Sequence, residues 1–270
     1  MVKESFKTDT LLFHRSLEHF FNHFFKKIRI LSNIKLRLTT DLIRIKDQKM
    51  NHPIKVIITG TTGMVGEGVL HECLHHPAVS SILVINRKPC GVKHHKVKEI
   101  IHSDFYDFSA IESQLTGYNA CFFCLGTSSV GKNEVDFTKT TYTLTIHVAE
   151  TLARLNADMT FCYVSGAGTD SSEKGGQMWA RVKGKTENDL MKLPFKRVYN
   201  FRPGYMQPTP GLKNTLPYYK YISWLYPILR PVASKYMSTL AELGLAMIHS
   251  VKRGYGKQIL EVKDIIALAK

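Results

Sequence analysis

The hydrophobic pattern of this chain changes abruptly at Gly60. The β-branched run at residues 56–58 is typical of a buried parallel strand. Beyond the turn, Val65, Val69 and Cys73 recur every four residues, which predicts one face of an amphipathic helix packed on a sheet. The pattern therefore predicts a strand, a tight turn and a helix in immediate succession.

Strand and helix patterns continue to alternate along the rest of the chain. Further strands are predicted at residues 81–86, 99–102, 119–125, 159–165, 197–201 and 258–262. Helices are predicted at residues 109–116, 144–155, 177–193, from 239 onward and at 264–269. This alternation predicts an α/β fold with a Rossmann-type doubly wound parallel sheet. The pattern loosens after residue 205, so residues from about 205 to 270 are expected to form a small C-terminal substrate lobe.

The first turn has the spacing G-x-x-G-x-x-G at Gly60, Gly63 and Gly66. Between a strand and a helix, such a turn offers free backbone N–H groups and the positive end of the helix dipole to a pyrophosphate. Gly60 permits the tight turn, Gly63 lets the backbone approach phosphate, and Gly66 lets helix and strand pack closely. The spacing is one residue longer than the common dinucleotide fingerprint, and an ordinary turn is the alternative. The flanking strand and helix favour dinucleotide binding.

The second predicted strand ends in Arg87-Lys88 and carries no acidic residue there. In dinucleotide folds this position borders the adenosine ribose, where an acidic side chain selects NAD and an arginine accommodates the 2′-phosphate of NADP. The cation pair favours NADP over NAD, with a solvated strand end as the alternative. Asp104, after the third strand, is placed either to meet the adenine end of the cofactor or to cap a turn.

A second glycine-rich stretch, at residues 126–133, satisfies the pattern G-x-x-x-x-G-K. Asn133 stands where a nucleotide triphosphatase needs a Ser or Thr hydroxyl on magnesium, which disfavours a phosphate-binding P-loop. We expect this loop to lie along the dinucleotide instead, with Gly126 close to the ribose.

The cysteines of the chain favour a reducing environment. They number five, an odd count, and most lie in apolar runs, which disfavours a disulfide framework. Cys121 and Cys124 form a C-x-x-C inside a predicted strand, and no second ligand pair has metal-site spacing. We therefore expect buried thiols, no metal centre and a cytoplasmic protein.

The chain carries a formal net charge of +15, which raises the possibility of nucleic-acid binding. Residues 1–49 contribute +6 and the remainder +9, and no basic run with interleaved aromatic residues follows residue 50. Because the excess is spread out, solubility or attraction of a polyanionic cofactor explains it better. No nucleic-acid partner is expected.

Residues 1–49 differ from the rest of the chain, and we expect residues 50–270 to form the Rossmann domain with its lobe. Apolar residues at three- and four-residue steps within 11–31 predict a basic amphipathic helix. The segment lacks the apolar core of a signal peptide or membrane span, and its five acidic residues are unusual for a transit peptide. A membrane-surface arm, a docked helix and a dispensable extension are the alternatives.

Several further motifs, taken in order, resemble the extended and atypical short-chain dehydrogenase/reductase superfamily. The chain looks most like its small NAD(P)-binding epimerase/dehydratase-like proteins, which include the oxidoreductase-like HIV Tat-interacting protein group. The resemblance covers residues from about 54 to 265 and rests on the stretches TGTTGMVG at 59–66, FCLGT at 123–127, YVS at 163–165, VKG at 182–184 and FRPG at 201–204.

The resemblance implies where cofactor and catalytic groups lie. The superfamily's Ser–Tyr–Lys set corresponds to Ser165 and Lys183, but Trp179 stands where Y-x-x-x-K places the tyrosine. An indole N–H only donates and cannot cycle a proton near neutral pH, so Tyr205 or Thr127 would have to substitute on grounds of position. The cofactor contacts implied are Gly60, Thr62, Gly63, Met64, Val65, Gly66, Arg87, Asp104, Phe105, Leu125, Gly126, Thr127, Lys183 and Pro203.

The expected function is that of an NADP-binding oxidoreductase or epimerase-like enzyme acting on a small carbonyl or hydroxyl substrate. The alternative is a catalytically silent NADP(H) sensor that binds a partner protein. Retention of Ser165 and Lys183 favours the enzyme, whereas loss of the tyrosine favours the sensor.

Overall fold

The apolar runs form the strands of one parallel sheet in this computed structural model, which describes residues 52–215, 217, 219 and 223–270. The strand order in the described sheet is β3-β2-β1-β4-β5-β6-β9, and every neighbouring pair is parallel. The strands are β1 Ile54–Thr59, β2 Val79–Asn86, β3 Val97–Ile101, β4 Ala120–Phe123, β5 Thr160–Val164, β6 Arg197–Arg202 and β9 Ile259–Glu261, while β7 Tyr205–Gln207 and β8 Met237–Thr239 pair separately.

Helices cover both faces of the sheet because successive side chains of each strand point to opposite sides. Val56 and Ile58 pack with one core cluster that includes Leu243, and Ile57 packs with another that includes Leu152. The helices are α1 Met64–His75, α2 Glu134–Thr138, α3 Leu144–Leu155, α4 Met178–Leu190, α5 Tyr226–Ala233, α6 Leu240–Arg253 and α7 Val262–Ala269, with a π-helical segment at Lys139–Thr143 and 3-10 turns at Ser109–Gln114 and Ser223–Leu225.

The α/β, Rossmann-type fold expected from the sequence is confirmed. The predicted strands and most helices are found within a few residues of their expected positions. Residues 53–270 form a compact unit, and no helix in the described part of the chain has both the length and the apolar character to cross a membrane. The amphipathic segment at 11–31 lies outside the described residues, and the domain boundary at 49/50 and the lobe at about 205–270 stay predictions.

Five short elements were not anticipated. Strands β7 and β8 pair in parallel beside the main sheet, α2 and the π-helical segment precede α3, and α5 lies within the stretch where the sequence pattern loosens. Helix α5 contains Pro231 in its interior, which explains why its sequence does not look helical.

Candidate dinucleotide-binding site

The candidate site lies at the carboxyl edge of the sheet, where the chain changes direction. Strand β1 pairs with β2 on one side and with β4 on the other, so crossovers leave in opposite directions from this point. In open parallel sheets, ligands bind in the crevice outside the carboxyl ends of strands at this switch point. The turn at residues 60–63 follows β1 directly and opens into the crevice.

Two of the three glycines are fixed by protein contacts. Gly60 has a φ of +75°, and a Cβ built on it would lie 2.7 Å from the carbonyl oxygen of Cys124. A Cβ on Gly66 would lie only 2.2 Å from the carbonyl oxygen of Gly60. A side chain at either position therefore collides with backbone, which leaves glycine as the residue that fits.

Gly63 is different because the protein does not fill the space beside it. The nearest atom to a Cβ built there is the carbonyl oxygen of Gly60, at 3.5 Å, and its φ of −108° is open to any residue. No side chain caps α1, and the N–H groups of Met64, Val65 and Gly66 have no backbone acceptor among the described residues. These open N–H groups and the positive helix end suit a phosphate.

Asn86, at the end of β2, holds the glycine turn in place. Its Oδ1 accepts from the Thr61 N–H at 3.3 Å, and its Nδ2 donates to Thr61 Oγ1 at 2.7 Å. Nδ2 also donates to the Glu99 carboxylate from β3 at 3.1 Å, and the Cys90 N–H donates to the same oxygen. The Glu99 carboxylate thus already accepts hydrogen bonds from Asn86 and Cys90 of the protein itself. Sequence reasoning missed Asn86 because one polar residue at a strand end is an ordinary pattern.

Two adjoining cavities extend from the turn, and they share Arg87, Phe105 and Leu125 as walls. The first, of about 370 Å³, is also lined by Gly60, Thr62, Ile85, Asn86 and Lys88. The second, of about 400 Å³, is also lined by Ser103, Asp104, Tyr106, Gly126, Thr127, Lys132, Thr140 and Leu144. The structure thereby brings together most of the expected cofactor contacts. Asp104 also stabilises the turn that follows β3, because its Oδ1 accepts a hydrogen bond from the Tyr106 N–H at 2.8 Å.

Three cations border these cavities. Arg87 and Lys88 are exposed and have no ion pair with a described carboxylate. Lys132 donates to Thr127 Oγ1 at 3.0 Å and Thr140 Oγ1 at 3.3 Å, and it likewise has no acidic partner in the described ranges. Lys132 belongs to the G-x-x-x-x-G-K stretch, so the motif supplies a cation to this cleft without being a P-loop. The role of Lys132 in the cleft was not predicted, because the stretch was compared only with triphosphate-binding loops.

Ser165 lies at the end of β5 but its hydroxyl is directed into the protein. It donates to Glu187 Oε1 at 2.5 Å, lies 3.1 Å from the carbonyl oxygen of Phe201, and is buried. Glu187 is fully buried and also accepts from Arg202 Nη2 at 2.5 Å and Nε at 3.0 Å. The hydroxyl proton of Ser165 is thus already donated in a hydrogen bond to the Glu187 carboxylate. The catalytic assignment of Ser165 stays a prediction, and this geometry gives the serine a structural partner.

Lys183 faces the same end of β5 from α4. Its Nζ donates to the carbonyl oxygen of Ser165, and burial lowers the pKa of the ammonium, while Glu187 one turn along the helix partly opposes that shift. Trp179, one turn earlier, places its ring edge 3.4 Å from the Cβ position of Gly168. The indole therefore packs over the loop after β5, as a wall residue does.

The remaining predicted residues lie at neighbouring strand ends. Pro203 follows β6, and its carbonyl oxygen accepts from the Ala167 N–H at 2.9 Å. The Tyr205 hydroxyl donates to Gln207 Oε1 at 2.9 Å, and Thr127 Oγ1 accepts from Lys132. Neither hydroxyl is brought to Lys183 by these contacts. Their role as proton donors stays a prediction.

The family model described as the NAD dependent epimerase/dehydratase family matches residues 56–176, from β1 to the loop before α4. Protein HTATIP2 of Rattus norvegicus is 26% identical over 83% of this chain and 93% of its own length. Among solved structures, the Bordetella bronchiseptica enzyme WbmG in complex with NAD superposes with a TM-score of 0.58 at 13% identity, covering 81% of this chain and 78% of that one. These matches confirm the resemblance to the extended short-chain dehydrogenase/reductase superfamily that the sequence motifs indicated.

The matches support NAD(P) binding of the short-chain-dehydrogenase kind, and the cleft beside the glycine turn is the candidate place for the cofactor. The residues present fit such a cofactor, because the space beside Gly63 is open and cations line the walls. The departure at Trp179 distinguishes this chain from superfamily members that use tyrosine.

One expectation is wrong. Protein FMP52-1 of Scheffersomyces stipitis is 26% identical over 60% of this chain and 74% of its own length, and its name describes it as mitochondrial. FMP52 proteins of two other yeasts carry the same description. These relatives contradict the cytoplasmic location inferred from the cysteines. Reduced, buried thiols such as Cys121, whose pKa is raised by burial, are a property of the core and say little about compartment.

Proposed function

We propose that this protein is an NADP(H)-dependent oxidoreductase that acts on a small carbonyl or hydroxyl substrate, with Lys183 as its proton donor. The observation that carries the proposal is the placement of Lys183, whose partly buried ammonium lies at the same sheet edge as the cofactor cleft. A bound nicotinamide supplies or accepts the hydride. The chain's own residues hold the cofactor and deliver the proton.

The preference for NADP rests on charge. Arg87 and Lys88 border the cavity beside the glycine turn and have no described acidic partner, and Glu99 is occupied by Asn86 and Cys90. A 2′-phosphate would give these cations a counter-charge, and an arginine can hold phosphate through two parallel hydrogen bonds. The uncharged 2′-hydroxyl of NAD would leave Arg87 and Lys88 solvated, so these cations would contribute less to the free energy of binding.

Replacing Arg87 by alanine is expected to weaken NADPH binding by roughly tenfold to a hundredfold, because a charge-assisted hydrogen bond contributes about 1.5–3 kcal/mol. NADH binding should change far less. Calorimetric titration of the parent and variant with both cofactors measures the difference. Lys93→Ala, which removes an exposed cation from the same connection, is the matched control. Equal affinity of the parent for NADH and NADPH would contradict the preference.

Lys183 is suited to the acid's role because burial makes its ammonium a stronger acid than an exposed lysine. Its Nζ is fixed by the Ser165 carbonyl, which leaves other protons of the ammonium for a substrate oxygen. Glu187 keeps Ser165 in place, so the loop that orients Lys183 is itself held by a buried group. After donating its proton, the amine recovers one from solvent.

Lys183→Met is expected to lower turnover by about 10²- to 10⁴-fold, the usual contribution of a positioned acid. In the parent, turnover in the reductive direction should fall as the pH rises through the Lys183 pKa, which lies below the ordinary lysine value, because only the ammonium donates. NADPH oxidation over a panel of aldehydes and ketones measures both effects. Lys192→Met, at an exposed lysine, is the control and should be neutral.

Trp179→Phe separates the two candidate donors on α4. It keeps the ring against the Gly168 loop and removes only the indole N–H, so turnover should be retained. A large loss in this variant, with Lys183→Met unaffected, would contradict the role of Lys183.

A catalytically silent NADP(H) sensor is the second candidate, and Trp179 and the Ser165–Glu187 hydrogen bond favour it. Both features remove groups that the superfamily uses for proton transfer. A parent protein that binds NADPH tightly but oxidises it with no carbonyl in the panel would support the sensor over the enzyme.

A further inference from the structure

Helix α5 and the residues directly before and after it present an unusual apolar surface outside the cofactor cleft. Trp224, Ile228, Val232 and Tyr236 follow one another at four-residue steps and are 65%, 64%, 81% and 60% exposed, and Leu229 beside them is 39% exposed. We call these five side chains the outer apolar face. None of the residues of α5 is buried. Contiguous exposed apolar residues of this kind mark contact sites on soluble proteins.

The polar side of α5 faces the protein, which reverses the usual orientation of a surface helix. Arg230 makes a double ion pair with Glu242 and donates to the hydroxyl of Tyr226. Glu242 also closes the capping box of α6 with Thr239. Arg230 thus anchors the helix through Glu242 and Tyr226 while the apolar side chains point outward. Packing within the described part of the chain does not explain that face.

Arg230 is neutralised by Glu242, whereas Lys235 is exposed and has no ion pair with a described carboxylate. Residues 205–241 contain Lys213, Lys220, Arg230 and Lys235 and no aspartate or glutamate. The Lys235 ammonium lies 4.9 Å from the centre of the Tyr236 ring, next to the exposed apolar side chains. Tryptophan and tyrosine beside lysine, on an apolar helix face, match the chemistry of the boundary between lipid headgroups and acyl chains.

A second copy of the chain fits this surface less well than a membrane. In a two-fold dimer the same patch meets itself, which would bring the exposed Lys235 side chains of the two copies towards each other. Anionic headgroups provide the opposite charge, and each nearby Lys or Arg adds to the attraction.

We propose that the outer apolar face of α5 inserts into the interfacial region of an anionic phospholipid membrane, with Lys235 at the headgroups. The surface is distinct from the cofactor cleft and from the amphipathic segment at 11–31. The attachment is peripheral, because a helix of eight residues lies on a bilayer rather than crossing it.

The two tryptophans of the chain give a direct test. In full-length Trp179→Phe, Trp224 is the remaining tryptophan and reports on this face alone. Its fluorescence is expected to shift to shorter wavelength, and to be quenched by brominated acyl chains, when phosphatidylserine-containing vesicles are added. Phosphatidylcholine vesicles should give a smaller change. An emission spectrum unchanged by either vesicle would overturn the proposal, whatever other part of the chain binds lipid.

Vesicle co-sedimentation of full-length variants measures how much the face contributes. Ile228→Asp with Val232→Asp should reduce partitioning onto phosphatidylserine vesicles by roughly tenfold or more, since burial of one such side chain is worth about that factor. Ile101→Asp with Val135→Asp, at exposed positions on β3 and α2, is the matched control and should be neutral. Retained NADPH binding shows that each variant is folded.

The contribution of residues 11–31 is separated by adding Phe20→Asp and Phe24→Asp to each chain. Loss of binding on changing the face, in either background, supports the proposal. Binding that depends only on Phe20 and Phe24 would overturn it. Conversion of a dimer to a monomer by the face variant, with vesicle binding unchanged, would overturn it in favour of contact between copies.

Discussion

Replacing Glu187 by alanine is expected to lower the free energy of unfolding by about 3–5 kcal/mol, the cost of leaving a buried charge without its partner. Arg202 is only 8% exposed and directs its Nε and Nη2 to the Glu187 carboxylate, while its Nη1 lies 3.2 Å from Glu261. The variant would also remove the acceptor of the Ser165 hydroxyl. Ordinary domains have a free energy of unfolding of about 5–15 kcal/mol, so the variant is expected to lose a large fraction of its stability and to unfold at a clearly lower denaturant concentration.

Chemical denaturation followed by circular dichroism measures the effect. Glu112→Ala is the matched control, because Glu112 also forms a double hydrogen bond with an arginine, Arg154, but on the surface. Exposed pairs of this kind contribute little, and the control should be nearly as stable as the parent. Equal destabilisation by the two substitutions would mean that burial of Glu187 does not matter. Glu187→Gln, which keeps an acceptor and the volume, should be intermediate.

Substitution of Gly63 and of Gly66 is expected to separate cofactor binding from folding. Gly63→Val should leave the melting temperature close to that of the parent, because the position is extended and the nearest atom to its Cβ is 3.5 Å away. The same side chain would occupy the space through which phosphate reaches the helix N-terminus. Loss of two or more charge-assisted hydrogen bonds, each about 1.5–3 kcal/mol, would weaken dinucleotide binding by roughly two orders of magnitude or more.

Gly66→Ala is the complementary change. Its Cβ would lie 2.2 Å from the Gly60 carbonyl oxygen, so α1 must shift away from β1 at a cost of about 1–3 kcal/mol or more. Thermal unfolding with and without NADPH distinguishes the two variants. Gly63→Val should lose the stabilisation that the ligand provides, whereas Gly66→Ala should unfold at lower temperature even without ligand. Undiminished NADPH affinity in Gly63→Val would remove the turn from the binding site.

The main sheet could be predicted because its strands are buried on both faces. Runs such as residues 56–58 and 120–125 are continuously apolar, and strands β1 and β4 lie there. Strands β7 and β8 are three residues long and carry no comparable signal. Helix α5 was missed because prolines interrupt its sequence, with Pro227 in the first turn and Pro231 in the interior.

The site could be predicted where it depends on backbone geometry, as at Gly60 and Gly66. It could not be predicted where it depends on distant side chains meeting. Lys132 belongs to the cleft through contacts with Thr127 and Thr140, and burial of Glu187 on α4 is compensated by Arg202 at the end of β6. The spacing of residues along the sequence does not indicate which distant side chains will meet in the folded protein.

The all-parallel pairing of the main sheet has a consequence for how the chain reaches this structure. Ile58 pairs with Phe122, and Phe201 pairs with Leu260, so each of these contacts joins residues about sixty positions apart. A parallel neighbour requires a crossover, and the entropy of closing that loop must be lost before any ladder bond forms. Folding is therefore expected to be slow for a protein of this size. During folding, strands that have not yet paired with a strand distant in sequence would be prone to aggregation.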